Sequence, residues 1–306
     1  MGMRNSRQVK AIFFAVLAAV LYAISAPFSK LMLGKISTTM MAAFLYLGAG
    51  LELFVLGLIQ KAAGKADREQ PLTKKELPYT VGMVVLDIAA PIFLMLGLTR
   101  TTAANASLLN NFEIVATALI ALVVFKEAIS KHLWLAIALV TLSSLILSFE
   151  DMSSLSFSYG SVFVLLACVC WGFENNCTRM LSSKNPLEIV VIKGFGSGLG
   201  SLAIAFMVGE TLPAFLYIAA ALLLGFVAYG LSIYFYIYAQ RDLGAAKTSA
   251  YYAIAPFVGA GLSLLVFWEK PSWLYITALM IMILGTYFAT IDGRPKRKMK
   301  KIENTP

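Results

Sequence analysis

The chain has 306 residues, of which 59% are apolar and only 13% charged, and its mean hydropathy is +0.80. A soluble globular domain runs nearer half apolar and a quarter charged, so this composition argues against a water-soluble fold. With three cysteines and one histidine, neither a disulfide framework nor a histidine-rich metal centre is in reach.

Ten apolar runs follow one another, at about 10–33, 38–60, 78–97, 101–126, 131–149, 158–181, 187–209, 214–239, 246–267 and 272–291. Each is long enough for a helix to cross a hydrocarbon core of about 30 Å. The first carries Tyr22, Ala23, Pro27 and Lys30. It is too long for a signal-peptide core and lacks a small-residue cleavage site, so it reads as a retained span. The second holds Glu52, and the third holds Asp87 and Pro91. The fourth opens on Ala103-Ala104-x-x-Ser107 and carries Asn110, Asn111, Glu113 and Thr117. The fifth begins near His132, a residue of the solvated interface. The sixth has Trp171, Glu174, Asn175 and Thr178 at i, i+3, i+4 and i+7, one face of a helix. Span seven contains Lys193 and a crowd of glycines (Gly194, Gly196, Gly198, Gly200), a pattern for close helix packing. Tyr229 lies deep in span eight, while Tyr234, Tyr236 and Tyr238 near its end read as interface aromatics. Span nine carries Tyr251, Tyr252 and Pro256.

Basic residues set the expected orientation. With the N-terminus inside, 20 of the 25 lysines and arginines fall on the inner side, against Lys30, Lys35, Arg100 and Lys270 outside and Lys193 within a span. Both termini are therefore expected in the cytoplasm, in the cell (inner) membrane. The net charge of +9 then needs no nucleic acid, and the tail from Arg294 to Lys301 reads as a topology anchor against anionic lipid.

The chain is also written twice. Ala103-Ala104-x-x-Ser107 followed by Phe125-x-Glu127 recurs 142 residues later as Ala245-Ala246-x-x-Ser249 followed by Phe267-x-Glu269. Tyr22-Ala23 with Lys30 is echoed by Trp171-Gly172 with Arg179. Because each half has five spans, the second half enters from the opposite face. The expected fold is an all-α polytopic membrane protein of ten helices in two inverted five-helix repeats around a central cavity. The expected units are 1–150, 151–293 and a basic cytoplasmic tail over 294–306. Inverted repeats supply two nearly equivalent conformations, as alternating access requires.

On these residues the sequence resembles the EamA family of the drug/metabolite transporter superfamily, over 10–291. The resemblance implies the same ten-helix fold with a central cavity and the movement of small metabolites. The family often has a Glu-Pro pair inside spans four and nine; here one half keeps Glu113 with Ile114 after it, and the other keeps Pro256 with Ala255 before it. The polar equipment of the two halves is thus expected to be asymmetric.

Ionisable groups inside a span cost about 2.5–3.5 kcal/mol at mid-membrane on insertion scales and usually face a cavity. The candidate substrate-binding residues are Trp171, Glu174, Asn175, Tyr22, Asn110, Tyr229 and Tyr252. The candidates for proton or ion coupling are Glu113, Asp87 and Glu174. Asn and Thr serve equally as interhelical glue, and Asp87 pairs equally well with Lys193 or Lys30 as a structural ion pair. An aromatic wall with a carboxylate suits an organic cation or the ammonium of an amino acid. The expected function is secondary transport of a small polar metabolite, amino acid or organic amine, coupled to protons or to exchange. A lipid or lipid-carrier flippase of the same fold is the alternative, although the mid-membrane charge is mainly acidic. An intramembrane enzyme would need metal ligands or an activated nucleophile that the chain lacks. Neither cofactor nor metal is expected. The partners are a small-molecule substrate and membrane lipid, with a homodimer left open.

Overall fold

The computed structural model describes residues 2–63, 70–126, 129–151, 156–181, 184–243, 248 and 251–292. Glu127, Ala245, Ala246, Lys247, Ser249 and the basic tail lie outside them. The chain forms α1 (Gly2–Ala23), α2 (Ser25–Met32), α3 (Thr38–Ala62), α4 (Leu77–Arg100), α5 (Ala103–Leu109) and α6 (Phe112–Phe125). It continues as α7 (Lys131–Ser148), α8 (Tyr159–Met180), α9 (Pro186–Met207), α10 (Phe215–Gly225), a π-helical stretch over Phe226–Leu231 and α11 (Ser232–Leu243). The last two are α12 (Ala255–Phe267) and α13 (Trp273–Asp292). Two short antiparallel strands, Phe149–Asp151 and Ser156–Phe157, join α7 to α8.

Among the described residues nine helical runs are long and apolar enough to cross a membrane. The run expected over 246–267 is described as the helical pair Tyr251 and Tyr252, a turn, and the 13-residue α12. Many of the large side chains exposed on these helices are apolar, among them Leu58, Ile59, Val123, Leu145, Leu216 and Met280. Such outward faces suit lipid, and helices satisfy their backbone groups internally, which is what a bilayer demands. The molecule is a multi-pass helical membrane protein.

Several spans are interrupted, each for a local reason. Pro27 has no amide hydrogen and its ring opposes the carbonyl of Ala23, so α1 ends there and α2 begins at Ser25. Pro256 occupies the second position of α12, where a missing amide costs least. Between α5 and α6 there is no proline. There Asn111 donates from its amide to Leu108 O through both the backbone (3.1 Å) and the side chain (3.1 Å), which displaces the regular ladder. Pro91, by contrast, sits inside an unbroken α4.

Some helix starts are capped by their N-cap side chains. Thr102 accepts from Asn105 N (3.0 Å), Ser130 from Leu133 N (3.2 Å) and Asn185 from Leu187 N (2.9 Å). Among the described residues two non-glycine ones have positive φ, Lys126 at 57° and Trp268 at 54°, and each ends a helix, α6 and α12 respectively.

In packing, α3 lies along α9, α4 along α8, α1 along α11 and α7 along α13. The α3–α9 seam depends on glycine. A Cβ on Gly50 would come within 2.9 Å of Gly194 C, and one on Gly198 within 2.8 Å of Leu47 N. The span-seven glycines therefore serve the close packing expected from their spacing. Both ends of this seam are tied. At one end the Glu210 carboxylate accepts from Ser37 Oγ (2.7 Å), Thr39 N (3.2 Å) and Met40 N (2.8 Å). At the other end Leu72 N donates to Glu188 (3.0 Å) and Lys184 lies 3.4 Å from Glu76.

Candidate functional site

The polar residues inside the membrane gather where α3, α4, α8 and α9 meet. Asp87 of α4 and Glu174 of α8 are buried, at 0% and 1% exposure, and Lys193 of α9 stands between them. Its ammonium is 3.1 Å from Asp87 Oδ2 and 3.0 Å from Glu174 Oε1. Asp87 also accepts from Tyr46 OH of α3 (3.1 Å), and Glu174 from Thr178 Oγ1 one turn along α8. Trp171 Nε1 points to Tyr46 OH at 3.5 Å. The i, i+3 and i+7 face of α8 is thus one connected surface, and the ammonium on Glu174 in this arrangement is that of Lys193.

A second carboxylate contact lies beside it. Glu113, in the first turn of α6, accepts from Asn175 Nδ2 at 2.6 Å, and the same amide reaches Thr117 Oγ1 at 3.3 Å. Asn176 donates to the backbone of both helices, at Thr117 O (3.1 Å) and Gly172 O (2.8 Å). It acts as interhelical glue.

Tyrosines extend the surface across the molecule. The ring of Tyr46 lies 5.6 Å from that of Tyr229, Tyr229 lies 5.7 Å from Tyr22, and Tyr22 lies 5.9 Å from Tyr252. These spacings are those of tilted and edge-to-face aromatic pairs. Ser25 Oγ donates to Tyr229 OH (3.2 Å), and Ser232 Oγ lies 3.3 Å from Tyr252 OH.

Beyond Tyr22 a small cavity opens at the helix interruptions. Its wall includes Tyr22, Ser25, Ser107, Asn110, Pro256 and Gly259, so the breaks α1/α2, α5/α6 and that before α12 converge on it. Ser107 Oγ, on a residue only 3% exposed, and Asn110 Oδ1 have no hydrogen-bond partner among the described residues. Half-helix ends and unpaired polar groups at a buried cavity are the arrangement by which transporters hold solutes.

All nine residues singled out from the sequence are described. Trp171, Glu174, Asp87, Asn175 and Glu113 fall on the acidic side, with Tyr22, Tyr229, Tyr252 and Asn110 on the aromatic and cavity side. Tyr46 joins the two, and sequence reasoning missed it: a lone tyrosine in an apolar span has no spacing signal. Lys193 was legible as a neutraliser of Asp87, and it neutralises Glu174 as well. Among the described residues no cluster of His, Cys, Asp and Glu could hold a metal ion.

A multi-pass helical fold with a buried polar site at broken helices defines the class of membrane transporters. The EamA-like transporter family model matches residues 9–149 and again 158–291, and the chain belongs to that family. It is 24% identical over 299 residues to an uncharacterized transporter of Methanothermobacter thermautotrophicus, covering 91% of this chain and 85% of the relative. A solved crystal structure of another protein resembles it with a TM-score of 0.65 at 16% identity. That likeness covers 93% of this chain and 97% of the other, and at such identity it speaks for the fold alone.

Proposed function

We propose that this protein is a secondary transporter that moves a small polar solute with an amine-bearing end across the cell membrane by alternating access. The observation that carries the reading is the charge balance of the buried site. Asp87 and Glu174 share the single ammonium of Lys193, and Glu113 stands nearby with an amide as its partner. The acids outnumber the buried base, so a cation entering from solution is favoured there. The tyrosine and tryptophan rings offer it further attraction. A lipid phosphate would instead meet surplus negative charge, which places a flippase second.

The proposed scaffold is two inverted five-helix repeats over 1–150 and 151–293, with ten spans and both termini cytoplasmic. Exchanging the two halves turns the pairing of α4 with α8 into that of α11 with α1, and leaves the pairs α3–α9 and α7–α13 in place. The positive-φ residues Lys126 and Trp268 also stand 142 positions apart, the separation of the duplicated motif. Both observations support the repeat, as do the two successive family matches. The excess of Lys and Arg on one side supports the orientation.

Binding to the folded state raises apparent stability. A thermal-shift series with purified protein against amino acids, choline-like amines, polyamines and nucleosides is expected to pick out an amine-bearing compound. The shift should be lost in Glu174→Gln. A response confined to uncharged or anionic compounds would overturn the reading.

A further inference from the structure

We propose that Glu52 is a proton-binding switch that sets the winding of the π-helical stretch Phe226–Leu231 and, through it, the position of Tyr229. Glu52 lies in α3, ten residues before its end at Ala62, so about 15 Å inside the helix end at 1.5 Å per residue. The three acids of the central site each have a polar partner. In Glu52, a half-buried residue, the Oε2 oxygen is buried and has no hydrogen-bond partner among the described residues. Only the absence of a side chain at Gly230 makes room for that oxygen, since a Cβ there would collide with it.

The surroundings leave the charge uncompensated. The elements packed against α3 are α4, α9, α10 and the π stretch. They carry Tyr79, Asp87 and Arg100, then Glu188 and Lys193, then Tyr217 and Tyr229. Among the described contacts none of these bonds to Glu52: Lys193 is held by Asp87 and Glu174, and Glu188 is held by Leu72 N. Among the described contacts Lys61 and Tyr46 on α3 itself do not bond to it either. A carboxylate with a buried, unpaired oxygen and no counter-charge is costly, and taking up a proton relieves that cost. The neutral acid gains an O–H donor that the ionised form lacks, and it stands against the side-chain-free face of Gly230.

That main chain is unusual. A π turn is a rare insertion in an α-helix and recurs at functional sites. Returning it to α winding changes the helical phase of its residues, because the number of residues per turn falls. Tyr229 is inside the stretch, immediately before Gly230. It packs edge-to-face on Tyr22 and at a tilt against Tyr46, accepts from Ser25, and is 7% exposed. Uptake of a proton by the Glu52 carboxylate from water holds the π form. Its release frees the segment to rewind and shifts Tyr229 against the aromatic surface. This switch is independent of which solute is carried.

The test uses the full chain in lipid nanodiscs and needs no cargo. Infrared difference spectra between alkaline and acid pH are expected to show a protonated-carboxyl C=O band that Glu52→Gln removes. Hydrogen exchange of the amides in 226–231, corrected for the intrinsic effect of pH, is expected to change by about fivefold across the titration in the native protein. It should be flat in Glu52→Gln. Glu52→Asp, which keeps a carboxyl but withdraws it by one methylene, should retain the band and lose most of the exchange response. Native protein with pH-independent exchange in 226–231 overturns the proposal, and so does an unchanged response in Glu52→Gln. Loss of amine binding with both signals intact would defeat the transport reading and leave the switch standing.

Discussion

At the scale of single residues, Lys193 decides the state of the site. Among the described residues it is the only base within reach of two buried carboxylates, and removing one partner of a buried ionic group is strongly destabilising, by about 3–5 kcal/mol. Lys193→Met is therefore expected to lower the unfolding midpoint in detergent markedly. Adding Asp87→Asn and Glu174→Gln to it should restore most of that loss, because no uncompensated charge then remains. Calorimetry or a fluorescence melt of the two variants checks this, and a triple variant as unstable as the single one would contradict it. Glu174→Gln alone leaves Lys193 with Asp87 and should fold normally. The i, i+3, i+7 spacing makes the α8 face legible from the sequence. The partners of that face are not, because Lys193 and Tyr46 reach it from helices remote in sequence, and such contacts carry no periodic signal.

At the scale of elements, helix ends are secured by groups from far along the chain. Glu210 caps the start of α3 across the seam, accepting from Ser37, Thr39 and Met40. A carboxylate at a helix N-terminus meets both free amides and the positive end of the dipole. Glu210→Ala is expected to cost about 1 kcal/mol, with the loss seen as faster amide exchange in the first turn of α3. Along the same seam, Gly194→Leu would force side-chain atoms into the α3 backbone, and overpacking of this kind costs about 1–3 kcal/mol. A melt as high as that of the native protein would show that the helices are not in the tight contact described. Of the helix interruptions, that of the first span was legible from Pro27 and that before α12 from Pro256. The break between α5 and α6 was not, because Asn111 achieves it through side-chain competition for the Leu108 carbonyl. Pro91 lacks an amide hydrogen just as Pro27 does, yet α4 continues through it.

At the scale of the whole molecule, apolar runs of membrane length are legible wherever the bilayer is the solvent, since hydrophobicity alone sets them. The duplication was legible from short motifs, and the exchange of helix pairs between halves accords with it. A central cavity was expected, but the make-up of its wall was not legible, since it combines three helix interruptions brought together by packing between segments remote in sequence. If the proposed repeats are inverted, a cysteine introduced at Ser272 should be open to a membrane-impermeant thiol reagent from outside the cell. One at Ser130 should react only after the membrane is permeabilised. Both labelled from one side would refute the inversion.

Counterflow tests most directly the proposal that the buried acidic site moves amine-bearing solutes. Proteoliposomes loaded with an unlabelled amino acid, choline-like amine or polyamine are mixed with the same compound labelled outside. The native protein is expected to accumulate at least one of these amines, and Glu174→Gln, shown to be folded by its melt, to exchange it at least about tenfold more slowly, as loss of about 1.4 kcal/mol would give. Accumulation of no amine in the series, or equal exchange by the native protein and Glu174→Gln, would contradict it.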